Sequence, residues 1–302
     1  MKAQPVVVGV DGSLESVRAA AIASRIAGGA SAECILVYAV PMMWMPGGTA
    51  EPITSPEVAD RVVAHACTSL AHVGVDAPVT ARPGKAGVVL QQVARERDAG
   101  LIVVGGRHHG PLERGLGGST AHHLVRTADA PVLIVEPGTE TIERVLVAVD
   151  LFNGAGPTLR AADRLAGALG AQLRAVHVIE PAKYPVVVPL SLDQAEYERR
   201  CRDEFVRLIE SQLPDLPLDE RVVRTGVADE EIAEEATVWH ADLVVVGSHG
   251  KKWIDRLLIG STTERLLNRL PASLLVVPVR PSHPATGRQD ARSADAAHHA
   301  LV

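Results

Sequence analysis

Val7-Val8-Gly9-Val10-Asp11 returns later in the chain as Leu146-Val147-Ala148-Val149-Asp150, and Leu101-Ile102-Val103-Val104-Gly105 returns as Leu243-Val244-Val245-Val246-Gly247. The first pair of segments is offset by 139 residues and the second by 142. Gly84 meets Gly226, and Gly118-Ser119-Thr120 meets Gly260-Ser261-Thr262, at the second offset. A repeat this long is a whole domain, because solenoid units run nearer ~20–50 residues. The 302 residues therefore read as a tandem duplication. We expect a first domain over 1–138, a second over 139–280, and a disordered tail over 281–302, where no apolar period survives. The boundary is the Pro137-Gly138 break. The step between the two offsets predicts a short insertion between the first and third strands.

In each copy, short apolar runs alternate with helical patterns. Strands are expected at 6–10, 33–40, 78–82, 101–105 and 132–135, and again at 145–149, 172–179, 220–225, 243–247 and 274–277. Helices are expected near 14–28, 56–72, 85–97 and 119–127. Runs such as Leu101-Ile102-Val103-Val104 show no polar alternation, as parallel strands covered on both faces require. The fold class is thus α/β, with two tandem doubly wound open parallel-sheet domains of five strands each.

Composition narrows the function. A net charge of −6 argues against nonspecific nucleic-acid or membrane-surface binding, and 3% aromatics leaves few stacking platforms. Cys34, Cys67 and Cys201 match neither a disulfide framework nor a zinc site and suit a reducing cytosol. With no signal peptide and no membrane-length apolar run, a cytoplasmic protein is expected. Adjacent histidines (His108-His109, His122-His123) lack the i, i+4 spacing that puts two ligands on one helix face, so no metal site is expected there. Met42-Met43-Trp44-Met45 is expected to pack as a loop after the second strand.

The chemistry concentrates in Gly247-x2-Gly250-x9-Gly260-Ser261, between an apolar strand and a helix start near Thr262. Glycines let a ligand approach the backbone, and a helix N-terminus adds unpaired donors and the positive end of its dipole. A phosphate is the natural guest. In a doubly wound sheet the ligand crevice lies outside the carboxyl ends of the strands, where strand order reverses. Asp11 and Asp150 end first strands and would share that crevice with the loops, near ribose, base or a cation rather than phosphate. Asp11 in Asp11-Gly12-Ser13 also reads as a turn or capping residue, and Ser261 as a helix cap. His249 either donates to phosphate or faces solvent.

These motifs resemble the universal stress protein family in its tandem form, across nearly everything from residue 5 to 279. The family's G-x2-G-x9-G-[S/T] motif is matched by Gly247, Gly250, Gly260 and Ser261, followed by Thr262. The resemblance implies association through the apolar last strands, 132–135 and 274–277, which in a tandem chain would pair as an internal pseudo-dimer, remove two exposed sheet edges and leave a homodimer open. It also implies ATP, with or without Mg, as ligand. It places Asp150 at the ribose or a metal, the Val178 backbone at adenine and Gly226 at the sugar-phosphate. In the first half those roles fall to Asp11, Ala39 and Gly84, then Gly105, Gly118, Ser119 and Thr120. His108 stands where the second motif glycine belongs, and Phe152 replaces the Ser13 hydroxyl, so each copy departs once. Three functions follow as expectations: a nucleotide-responsive regulator in the stress response, a slow Mg-dependent ATP hydrolase, or a nucleotide-free scaffold. The chain has no G-x4-GK[ST] loop, and no His-x-Gly-His or Ser-Gly-Gly-x-Asp-Ser follows either first strand.

Overall fold

The computed structural model describes residues 3–45, 49–106, 120–151, 155–180, 194–248, 259–269 and 271–279. The first half runs β1 (Val6–Gly9), α1 (Leu14–Gly29), β2 (Cys34–Val40), β3 (Met42–Trp44), β4 (Ala50–Pro52), α2 (Pro56–His72), β5 (Val79–Pro83), α3 (Ala86–Glu96), β6 (Leu101–Gly105), α4 (Thr120–Thr127) and β7 (Val132–Val135). The second half runs β8 (Arg144–Ala148), α5 (Ala155–Leu169), β9 (Gln172–Ile179), α6 (Gln194–Gln212), β10 (Arg221–Thr225), α7 (Ala228–Val238), β11 (Leu243–Gly247), α8 (Ser261–Arg269) and β12 (Ser273–Val277). The expected tail, 281–302, lies outside the described residues.

The two halves form one ten-stranded sheet, in the order β10-β9-β8-β11-β12-β7-β6-β1-β2-β5. All its neighbouring strands are parallel except β12 and β7, which meet antiparallel at the centre. That pair is the contact expected from the two apolar last strands. Its register sets Leu133 opposite Leu275, the same position of the repeat in either half. A pseudo-two-fold axis therefore passes through this pair. A second equivalent pair, Gly29 and Ala168, meets where α1 touches α5. A Cβ on Gly29 would stand 1.8 Å from the Ala168 carbonyl oxygen, so only glycine admits this approach.

Covered strands bury consecutive side chains: Val244 and Val245 are both at 0% exposure on opposite faces of β11. One apolar layer lies under α1, α2, α5 and α6, the other under α3, α4, α7 and α8, and each contains residues of both halves. The register also places the insertion. Leu36 pairs with Val79, whereas its equivalent Ala175 pairs with Arg221, so the three extra residues fall between β9 and β10. The Met42–Met45 segment departs from expectation. It forms a β3–β4 hairpin, with Met43 opposite Glu51, and Met43 is 51% exposed rather than packed. Backbone bonds flank the paired residues, from Ile53 N–H to the Pro41 carbonyl and from Met45 N–H to the Thr49 carbonyl, each at 2.8 Å.

Candidate functional site: the crevice at the strand reversal

Within the second half the sheet runs β10-β9-β8-β11-β12, so the first strand, β8, has the second on one side and the fourth on the other. Strand order reverses between β8 and β11. Val145 pairs with Leu243 and Val147 with Val245, which brings the carboxyl ends of both strands to one level. Asp150, just past β8, therefore shares a crevice with Gly247, the last residue of β11.

Four hydrogen bonds shape the glycine-loop side of that crevice. Ser248 N–H donates to the Val277 carbonyl at 2.8 Å, and Gly260 N–H donates to the Ser248 carbonyl at 2.9 Å. The second bond clasps the two ends of the glycine loop together. It also commits the Gly260 amide to the protein itself, which the sequence did not foretell. Ser248 Oγ accepts from Val279 N–H at 3.0 Å, and Thr263 Oγ1 donates to the Gly247 carbonyl at 2.8 Å. The first backbone bond of α8 runs from Glu264 N–H to Gly260 O, so helix geometry leaves the Ser261 and Thr262 amides without an intrahelical acceptor. Ser261 is exposed, facing outward from the start of the helix. These two amides are the donors an anion would meet.

The opposite wall is built by β9, β10 and α7. Val178, partly buried, sits in β9 opposite Arg224 of β10. Gly226 donates its N–H to the Ile179 carbonyl at 3.1 Å. A Cβ there would lie 2.6 Å from Glu231 Oε1, so the missing side chain also makes room for Glu231 to reach Arg224 at 2.6 Å. Val227, the residue capping α7, makes no side-chain capping bond. The Glu180 carboxylate does that work instead, accepting from Ala228 N–H at 3.3 Å. The start of α7 is thus already faced by an internal anion.

One turn behind these walls the two helices are tied together. Asp229, with its side chain 3% exposed, accepts from Arg265 Nη1 at 2.8 Å, and Arg269 lies 3.9 Å away. The Asp229 carboxylate holds the Arg265 guanidinium above its ordinary pKa, with Glu230 and Glu180 adding to the effect. His177 fixes the floor. Its Nδ1 lies 2.8 Å from the Val149 carbonyl, which can only accept, so Nδ1 carries the proton. The ring stacks on Phe205 with centroids 6.0 Å apart.

The first half repeats the layout with different furniture. Here β1 lies between β2 and β6, so Asp11 and Gly105 share a crevice, with Ala39 in β2 and Gly84 just after β5. Asp11 Oδ1 accepts from Ser13 N–H at 3.0 Å and Ser13 Oγ at 2.5 Å, while Ser13 Oγ accepts from Ser16 N–H. The turn-and-cap reading of this segment therefore holds in the structure. A Cβ on Gly105 would stand 2.8 Å from the backbone of Glu15, so this glycine lets β6 pack against the start of α1. Gly84 has φ +137, a conformation side chains disfavour, and Val89 fills the space beside it. Thr120 opens α4. His122 bonds Asn268 across the seam between halves at 3.2 Å, and the His123 ring packs on Gly87. Gly118, Ser119, His108, His249, Gly250 and Phe152 lie outside the described residues.

Sequence reasoning missed Ser248, Glu180, Asp229 and Arg265. Their signal was faint: acidic residues directly after β9 and in the first turn of α7, and one arginine a turn beyond Ser261. A cavity of about 480 Å³ lies elsewhere, at the amino end of β9, lined by Asp163, Gln172, Gln212 and Glu220 among others. It is remote from the glycine loop, and Glu220 is already paired with Arg174 at 2.6 Å. Among the described residues no helix is long and apolar enough to cross a membrane, and no group of three or more His, Cys, Asp or Glu is placed to hold a metal.

Comparison with known proteins follows the same division. The profile of the "Universal stress protein family" matches twice, at residues 2–136 and 141–278. A universal stress protein of Mycolicibacterium smegmatis is 29% identical over 289 residues, 90% of this chain and 96% of its own length. One from Mycobacterium tuberculosis is 29% identical over 91% of this chain and 97% of its own length. Among solved structures, a putative universal stress protein from Pseudomonas aeruginosa superposes with TM-score 0.63 at 21% identity, covering 91% of this chain and 93% of its own.

Proposed function

The chain belongs to the universal stress protein family, and from that premise we propose that it is an adenine-nucleotide-binding regulator in which ATP binds the second-half crevice with little or no catalysis. One observation carries this reading: the exposed start of α8, with the Ser261 and Thr262 amides unclaimed by the helix, opens beside Asp150 at the strand reversal. Phosphate oxygens would accept from those amides and meet the positive end of the α8 dipole. Asp150 repels phosphate and so would take the ribose hydroxyls or a magnesium ion. Adenine would lie along the Val178 backbone, with the sugar-phosphate passing Gly226. Magnesium would neutralise phosphate charge, and the oxygen chemistry of Asp150 suits it.

Regulation rather than fast turnover is the reading the sequence favours, because it has no G-x4-GK[ST] loop with its phosphate lysine. The continuous sheet gives a route outward, because α8 packs on β12 and β12 pairs with β7 of the other half.

The test is direct. Purified protein is denatured and the released small molecules are identified by mass spectrometry, with adenine nucleotide expected. ATP is then titrated into Gly260→Ala/Ser261→Ala beside Gly118→Ala/Ser119→Ala. The first pair should weaken binding more; a larger loss from the second pair would assign ATP to the first half. Turnover on the order of 10 per second with magnesium would replace the regulator by a hydrolase.

A further inference from the structure

We propose that Asp229 and Arg265 are positioning residues, a strut that sets the gap between the sugar wall and the phosphate wall of the second-half crevice. The inference rests on the nucleotide reading above and deepens it, because it names what makes this copy selective for the phosphorylated end of the ligand.

Both ends of the strut are placed for that task. Asp229 follows Gly226 by three residues and lies in the first turn of α7, while Arg265 follows Ser261 by four, one turn into α8. A shift of α8 relative to α7 moves the phosphate donors relative to the sugar site. The 2.8 Å bond between Asp229 and Arg265 resists such a shift. Asp229 is 3% exposed, and a carboxylate buried to that depth is retained only when paired. Arg265 is 56% exposed, so part of its side chain remains open to solvent.

The first half shows that packing alone does not demand this pair. At the same places of the repeat it carries Gly87 and His123. A Cβ on Gly87 would lie 2.5 Å from His123 Cδ2, so the glycine is the space the imidazole fills. The two copies hold the same two helices together, one by an ion pair and one by a ring seated on a bare backbone. Only the former is directional and charged. The half with the complete glycine motif is also the half with the strut.

Three variants test it: Asp229→Asn, Arg265→Lys, and Asp229→Gly/Arg265→His, which imports the first-half pair. ATP affinity is measured by calorimetry and adenosine affinity by NMR at millimolar concentration, alongside thermal melts. A strut predicts that Asp229→Asn and the imported pair weaken ATP roughly five- to tenfold, within the usual coupling between residues in contact. Adenosine binding should stay within twofold, and Arg265→Lys should retain most of the ATP affinity. Unchanged or tighter ATP binding in Asp229→Asn overturns the strut, since a carboxylate that merely competes with phosphate for Arg265 would give that result. Equal losses for ATP and adenosine overturn it as well, because they mark a general structural role. Failure of the unmodified protein to bind ATP at millimolar concentration sinks the nucleotide reading itself, a different outcome from either.

Discussion

Replacing Glu235 by valine is expected to destabilise the protein by about 3 kcal/mol, although valine is what the first half carries at the equivalent position, Val93. The estimate comes from the geometry. The Glu235 carboxylate is 6% exposed and bonds Arg174 Nη1 and Arg224 Nη1, each at 3.0 Å. Arg224 is held above its ordinary pKa by its hydrogen bond to Glu231, opposed by burial and assisted by Glu235. Removing one member of a buried network typically costs about 3–5 kcal/mol, because the partners keep their charge without compensation. The arginines are 19% and 27% exposed, so some water reaches them and the lower end applies. The first half avoids the problem by having Ile35 and Val93 where the second has Arg174 and Glu235. The double variant Arg174→Ile/Glu235→Val should therefore recover to within about 1 kcal/mol of the unmodified protein, since matched apolar residues often replace a buried ion pair at no cost and Glu220, 22% exposed, is left to water when it loses Arg174. Arg224 keeps Glu231 throughout, at 2.6 Å. Urea melts of the four proteins close a double-mutant cycle with an expected coupling of at least about 2 kcal/mol. A single variant losing less than about 0.5 kcal/mol, the scatter of ordinary surface substitutions, would refute the argument, as would a double variant no better than the single one.

Gly29→Ala should cost about 2 kcal/mol by overpacking the α1–α5 seam, whereas Gly28→Ala, with nothing within 4 Å of its Cβ position, should not destabilise. Thermal melts of the two neighbours decide it; equal effects would mean the seam yields. Burial pushes the Cys34 thiol up to about 11, so at pH 8 only roughly one molecule in a thousand carries the reactive thiolate. Mass spectrometry after brief iodoacetamide treatment at pH 8 should find Cys34 unlabelled, with labelling accelerating above pH 10; rapid labelling at pH 8 contradicts the burial. Arg265→Lys, expected to hold most of its ATP affinity, links these stability measurements to the crevice.

The placement of the candidate site's backbone was legible because backbone chemistry leaves marks in sequence. A glycine-spaced loop between an apolar run and a helix start announces a crevice whatever its neighbours do, and Gly247, Gly260 and Ser261 fall there. Side-chain partnerships leave no such mark. Nothing local reveals that Asp229 reaches Arg265 across 36 residues, or that Glu180 caps a helix 48 residues away. Asp11 illustrates the middle case: both its turn role and its crevice position were readable, and the structure shows the turn bonds formed.

The sequence by itself determined the duplication, the α/β class, the strand succession and the place of the glycine loops, since each is written in local period and composition. Only tertiary structure decided that the halves share two common apolar layers. It also decided that Gly29 must be bare where equivalent helices cross, and that one copy joins its helices by charge where the other uses an apolar fit. Those outcomes depend on distances between residues far apart in the chain, and a linear pattern constrains such distances only through the fold it specifies.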